Sequence, residues 1–360
     1  MNLLLISYGD FNYDGRLREL YKVFSAMGTL HSITRGTTPQ DPRHKVFHGS
    51  YQAFIKEAVA YGKAQDRIDV LILDNRKSVL PGLILRAIKK PKVVIQDCRE
   101  LYVAKEVSHF AGKVGCVIEK WGIDRSDIII CANQERAELM KQMYGLKDTP
   151  IVYENLRRLE YSNVLARDEQ QKKFAHLIRD DEIRIISSSG CSVSRTNDVL
   201  VRNLDRVNRK CRLLLVGSNT SEDEMTICKI MKEKGMNNVE ILGQINQDEL
   251  KYLISMSHIG IVNYHQKDTN NKYCASGKVY EFVYEGIPVV TTTNPPLKNM
   301  CDREKIGQSD DNYADAINQV MEHYEEYLDH VSRFAQANPV EENNDRLLEQ
   351  VKNRIARMTG

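Results

Sequence analysis

Short apolar runs of strand length recur along this chain, and most are followed by a segment of helix length with one apolar face. The run at 3–6 leads into a stretch whose apolar positions, Leu17, Leu20, Phe24 and Met27, share one helical face. Further runs at 70–73, 93–95 and 128–131 each precede a helix-sized segment. Apolar strands alternating with helices describe a parallel sheet, because crossover helices bury both of its faces. A polar stretch from 156 to 181, with a Gln-Gln-Lys-Lys run and neither Pro nor Gly, interrupts this rhythm. It reads as a surface helix leading into an interdomain connection. The alternation restarts at 183–187, continues at 213–216, 239–242 and 259–262, and ends at 288–291.

With 360 residues, more than one hydrophobic core usually covers, the expectation is α/β with two Rossmann-like doubly wound domains. The first is expected over 1–165 and the second over 166–342. Ala314, Ile317, Met321, Tyr324, Leu328, Val331 and Phe334 recur at helical spacing, as do Leu347, Leu348, Val351, Ile355 and Met358, with Pro339 between the two sets. The last helix, 343–360, is expected to pack back on the first domain.

Several function classes are excluded early. A formal charge of +2, from 51 basic and 49 acidic residues, is too small for a nucleic-acid surface to be expected from charge alone. The longest apolar runs are strand-sized, and the start of the chain lacks the features of a signal peptide, so a cytoplasmic location is expected. Eight scattered cysteines without a Cys-x-x-Cys pair read as reduced structural thiols.

In open parallel sheets, ligands bind beyond the carboxyl ends of the strands, where glycine turns and helix amino termini face an anion. Three turns qualify. The first, 7–15, holds Gly9, Tyr13 and Asp14 and runs into Arg16; it lacks the dinucleotide fingerprint and also reads as an ordinary loop. The second, 187–195, holds Gly190 and Arg195, which is either a diphosphate ligand or a solvated loop arginine. The third, 275–290, is a glycine turn, a helix of about two turns and a buried strand. Its Gly-Lys pair lacks the upstream glycine and the following Ser or Thr of a P-loop. What remains is a helix start carrying Ser276, Gly277 and Lys278, with Glu281 one turn in, placed either to accept from ribose hydroxyls or to cap the helix.

The segment 278–290, Lys-Val-Tyr-Glu-Phe-Val-Tyr-Glu-Gly-Ile-Pro-Val-Val, resembles the donor-site segment of GT-B glycosyltransferases, especially retaining family 4 and its relatives in bacterial polysaccharide synthesis. Segments 126–131, 144–145, 151–155, 215–217 and 239–243 resemble the family in the same order and extend the likeness over most of the chain. The resemblance implies two domains facing across a cleft and hexosyl transfer from a nucleotide-sugar donor to a glycan or lipid-linked acceptor. It further implies that Glu281 binds ribose, that the backbone of Gly277 to Val279 binds the diphosphate beside Ser276 and Gly190, and that Gln244 and Ile245 hold the base. Lys278 and Arg195 would neutralise the leaving diphosphate. In the first domain, Asp97 and Glu100 are the candidates at the transfer site, with Arg99 where the family often has His. Gly9, Tyr13, Asp14 and Arg16 are the acceptor-side candidates. Two departures stand out: Tyr273 occupies the place of the family's upstream Glu, and Cys191 that of an Arg after Gly190.

No Asp-x-Asp motif is present, and the resemblance implies no metal and no cofactor. Lys89, Lys90, Lys92, Lys105, Lys113 and Lys120 are placed either to meet an anionic membrane or to form an ordinary soluble face. Competing readings are a nucleotide-sugar epimerase of the same architecture and a catalytically silent partner of another glycosyltransferase.

Overall fold

The computed structural model describes residues 1–36 and 41–359 and divides into two compact units. The first joins Met1–Asn155 to the chain from Val340; the second is Leu156–Pro339.

Seven strands build the first unit: β1 (Asn2–Asp10), β2 (Thr29–Arg35), β3 (His44–Val46), β4 (Val70–Asp74), β5 (Val93–Cys98), β6 (Ile128–Cys131) and β7 (Ile151–Val152). They pair in the order β3-β2-β1-β4-β5-β6-β7, every pair parallel. The second unit contains β8 (Ile183–Ser187), β9 (Cys211–Val216), β10 (Val239–Gly243), β11 (Ile259–Val262), β12 (Val289–Thr291) and β13 (Gly307–Ser309). Their order is β10-β9-β8-β11-β12-β13, again parallel throughout. In each sheet the winding reverses beside its first strand, between β1 and β4 and between β8 and β11. These are the points where a doubly wound sheet opens a crevice for ligand.

Four strands lie outside the expected set: β2, β3, β7 and β13. In β2 the inward positions include Ser32 and Thr34, which bind the His44 ring of β3 at 2.6 and 2.9 Å. Polar residues satisfied in this way leave no apolar run to read. β13 carries Gly307, where a Cβ would meet the Val289 carbonyl oxygen at 1.8 Å.

The expected boundary at 165 moves to 155. The intervening residues attach to the second unit: Ser162 donates from N and Oγ to Asp248 at 2.8 and 2.5 Å, and Gln247 donates to the Glu160 carbonyl at 2.9 Å. The second boundary moves from 342 to 339, because the closing helix Val340–Thr359 begins directly after Pro339. It places Leu347 and Val351 in the apolar cluster of Leu17, Leu20 and Phe24. The periodic region 314–334 is two helices, Tyr313–Glu322 and Tyr324–Ala337, broken where His323 leaves helical geometry. The polar stretch folds as the short helix Ala166–Phe174 followed by a 3-10 turn. All eight cysteines are free, and only Cys228 is exposed. Among the described residues, no helix is long and apolar enough to cross a membrane.

Candidate active site

In the second unit, the loop after β8 is fixed by a buried polar network. Ser187 and Ser189 reach Asn197 and Asn263 at 3.1 Å each, Asn263 donates to Asn197 at 2.8 Å, and Asn197 donates to the Gly190 carbonyl at 2.7 Å. Gly190 sits at φ 61° and its amide donates to Val216 at 2.8 Å; a Cβ there would meet Asn219 Oδ1 at 2.4 Å. The loops after β8 and β9 therefore touch backbone to backbone, and glycine is required. Asn197 and Asn263 were not legible as site residues, although an Asn directly after the apolar strand 259–262 is a polar group at a ligand-facing edge.

Arg195 follows on a 3-10 turn, its Cζ 3.9 Å from the centroid of the Tyr264 ring and its Nη1 donating to Asn271 at 3.3 Å. The ring holds the guanidinium by a cation–π contact. The helix Gly277–Tyr284 begins beyond β11, seated closely because Gly260 leaves room for the Phe282 ring. Ser276 is its cap residue, yet its buried Oγ has no hydrogen-bond partner. Lys278 keeps some exposed surface, while burial and then the charge of Arg195 draw its amine down to about 8. Neither cation forms a salt bridge among the described residues. Two like charges, an orphan hydroxyl and the positive end of a helix thus gather at the opening of one sheet, an arrangement that attracts an anion.

Glu281 is buried and pairs with Arg157 at 3.2 Å; burial raises its carboxyl above the usual range, against the pull of Arg157 and Lys278. Val279 is core, so only its backbone is offered to a ligand. Gln244 is exposed and accepts from Ser218 at 3.2 Å, with Ile245 partly buried beside it. Tyr273 ends the short helix Thr269–Lys272.

In the first unit, the transfer-site candidate Asp97 and the acceptor-side candidate Arg16 are paired with each other. Asp97 has no exposed surface, and both of its oxygens are held by Arg16, at 2.7 and 2.9 Å. Arg16 also donates to the Tyr153 carbonyl and to Asn155, at 2.6 and 2.8 Å. Both side chains are buried and engaged with each other, and they tie the first helix to β5. Tyr13 is 81% exposed and contributes nothing to the pocket.

That pocket, of about 250 Å³, is lined by Gly9, Asp14, Asp74, Lys77, Arg99 and Glu100 among others. Glu100, Gly9 and Asp14 thus line one pocket. Asp14 also caps the helix Gly15–Ser25 and pairs with Arg99. Arg99 pairs as well with Asp74, at 2.6 Å. Burial pushes the Asp74 carboxyl up to about 6, with Arg99 opposing. Asn75 stands at φ 62° in the same wall, an uncommon conformation for a residue other than glycine. Asp74 and Lys77 were missed because nothing in the run 70–78 resembles a motif.

Residues 168–337 match the family model described as Glycosyl transferases group 1, which spans most of the second unit. Over 99% of this chain and 100% of the other, the structure resembles sucrose-phosphate synthase from Thermosynechococcus elongatus, with TM-score 0.75 and 18% identity. The chain has the fold of the GT-B glycosyltransferases. Two further GT-B structures are similar: Anabaena HepE in complex with UDP and glucose, at TM-score 0.71 and 14% identity over 98% of this chain and 100% of that one; and WaaG, a glycosyltransferase involved in lipopolysaccharide biosynthesis, at 0.65 and 11% over 96% and 98%. No curated protein matches the chain by sequence. The GT-B fold accounts for the two parallel sheets.

Proposed function

We propose that this protein transfers a hexose from a nucleotide-sugar donor to a glycan or lipid-linked glycan, with retention at the anomeric carbon, at the inner face of the cell membrane. The observation that carries the reading is the convergence of Arg195, Lys278 and the unpartnered Ser276 hydroxyl at the amino end of the helix Gly277–Tyr284. As the bond between the sugar and the diphosphate breaks, the electron pair goes to a phosphate oxygen. Fixed cations and amides at that oxygen stabilise the developing charge more than they stabilise the bound donor. The UDP and glucose of the HepE complex support a donor of this class. Glu281, released from or sharing Arg157, is assigned to the ribose, and Glu100 to the acceptor side. Transfer is proposed to proceed without a metal or other cofactor, the diphosphate charge being met by Arg195 and Lys278.

A thermal-shift screen across UDP-, GDP-, dTDP- and CDP-linked sugars tests the donor. A ligand that binds only the folded state raises the unfolding temperature by mass action, so one nucleotide class should stand out and Lys278→Ala should reduce its effect. No stabilisation by any of them would favour the silent-partner reading. Conversion of a nucleotide sugar without acceptor would favour the epimerase. Activity lost in chelator and restored by manganese or magnesium would overturn metal independence.

A further inference from the structure

The helix Phe110–Ile123 of the first unit is apolar on the side it turns to solvent. Phe110, Val114, Val117 and Trp121 are 81%, 40%, 46% and 52% exposed. At the angular step of an α-helix they fall within an arc of about 60°. The opposite side, with Gly112, Cys116, Gly122 and Ile123, is already buried against the unit. A surface helix ordinarily turns its polar face outward. This one turns an uncovered apolar stripe outward.

Charge indicates what covers the other. Lys113 and Lys120 flank one side of the stripe, Lys120 paired with Asp124 at 2.8 Å. Beyond Trp121 lies an open groove of about 510 Å³ whose walls include Leu83 and Pro91 and the cations Arg86, Lys90 and Arg125. Ile88, on the neighbouring helix Val79–Lys89, is 47% exposed. Exposed rings and aliphatic side chains beside a band of cations match a bilayer surface, with the apolar groups at the acyl boundary and the cations at phosphate level. A second copy of the chain, meeting this face with the same face, would set cations against cations.

We propose that this face docks the first unit on an anionic lipid bilayer, the Phe110 to Trp121 stripe entering the interface and Arg86, Lys90 and Arg125 meeting headgroup phosphates. The inference deepens the membrane-face reading above and rests on it for the location of the acceptor. It does not depend on the donor.

Trp121 is the only tryptophan in the chain, so its emission reports directly on the stripe. With phosphatidylglycerol-containing vesicles the emission should shift to the blue and the protein should float with the lipid, whereas pure phosphatidylcholine should do neither. Val117→Asp, at an exposed position, should abolish both signals. Arg86→Gln and Arg125→Gln should each weaken flotation by about five-fold. Absence of a blue shift and of flotation overturns the proposal, as does equal binding to both vesicle types. A blue shift that grows with protein concentration without lipid, and is lost in Val117→Asp, would assign the stripe to contact between copies and overturn it equally. Unchanged unfolding temperature certifies the fold of each variant. Stabilisation by nucleotide, measured without vesicles, is independent: its absence while flotation persists would count against the donor reading and leave the docking intact.

Discussion

Arg16 grips both oxygens of Asp97 in the interior of the first unit, at 2.7 and 2.9 Å. Removing Arg16 leaves Asp97 a buried charge with only the longer contact to Arg99, at 3.5 Å. Arg16→Met should therefore destabilise the first unit by about 3–5 kcal/mol, read as a lowered thermal or urea midpoint. Nucleotide stabilisation should persist wherever the second unit stays folded. A variant of normal stability with lost transfer would return Asp97 and Arg16 to the reaction.

Lys278 ties binding to pH. Its amine lies near 8, so it loses its charge as the solution passes that value, and anion affinity should fall between about pH 7 and pH 9. Calorimetric titration with the preferred nucleoside diphosphate should show the fall. Lys278→Arg should flatten it, and Lys278→Ala should weaken binding about 10- to 100-fold at neutral pH.

Glu119 makes stability depend on pH in a specific direction. It is buried on the helix Phe110–Ile123, its Oε1 has no hydrogen-bond partner, and burial pushes its carboxyl up to about 8, Arg76 opposing and Glu100 assisting. Between the ordinary carboxylate range and that value the unfolded chain has lost the proton and the folded chain retains it. Stability from this group is thus present at low pH and declines as pH rises toward 8. Glu119→Gln should match the parent near pH 4 and exceed it progressively above, in parallel thermal melts.

The closing helix should behave as part of the first unit. Asn344 bridges Tyr153 and Glu19 at 2.6 and 2.7 Å, and Arg354 donates to the Thr149 carbonyl at 2.5 Å. Leu347→Ala should cost about 2–5 kcal/mol. Ending the chain at Pro339 should expose segments near Tyr153 to protease while the second unit keeps its nucleotide response.

Much of this architecture was legible because strands covered on both faces must be apolar. The runs at 128–131, 183–187 and 259–262 coincide with β6, β8 and β11. β2 escaped because Ser32 and Thr34 face inward and are satisfied by His44, and such pairing is tertiary information. The same divide separates the site residues. Lys278 and Arg195 stand in or just after glycine turns that sequence can mark, whereas Asp97 is singled out by the resemblance of 97–102 to a family loop. Its partner lies 81 residues away, and only the folded chain brings them together.

Because Leu347 and Val351 complete a cluster begun at Leu3 and Leu5, the first unit cannot finish its core until those two residues have been made. The ribosome must first make all of Leu156–Pro339. At ordinary translation speeds that interval is roughly 10–40 s. For its duration the nascent amino-terminal half carries an uncovered apolar groove, so it should need a chaperone's shelter, while the later-made half is free to fold as it emerges.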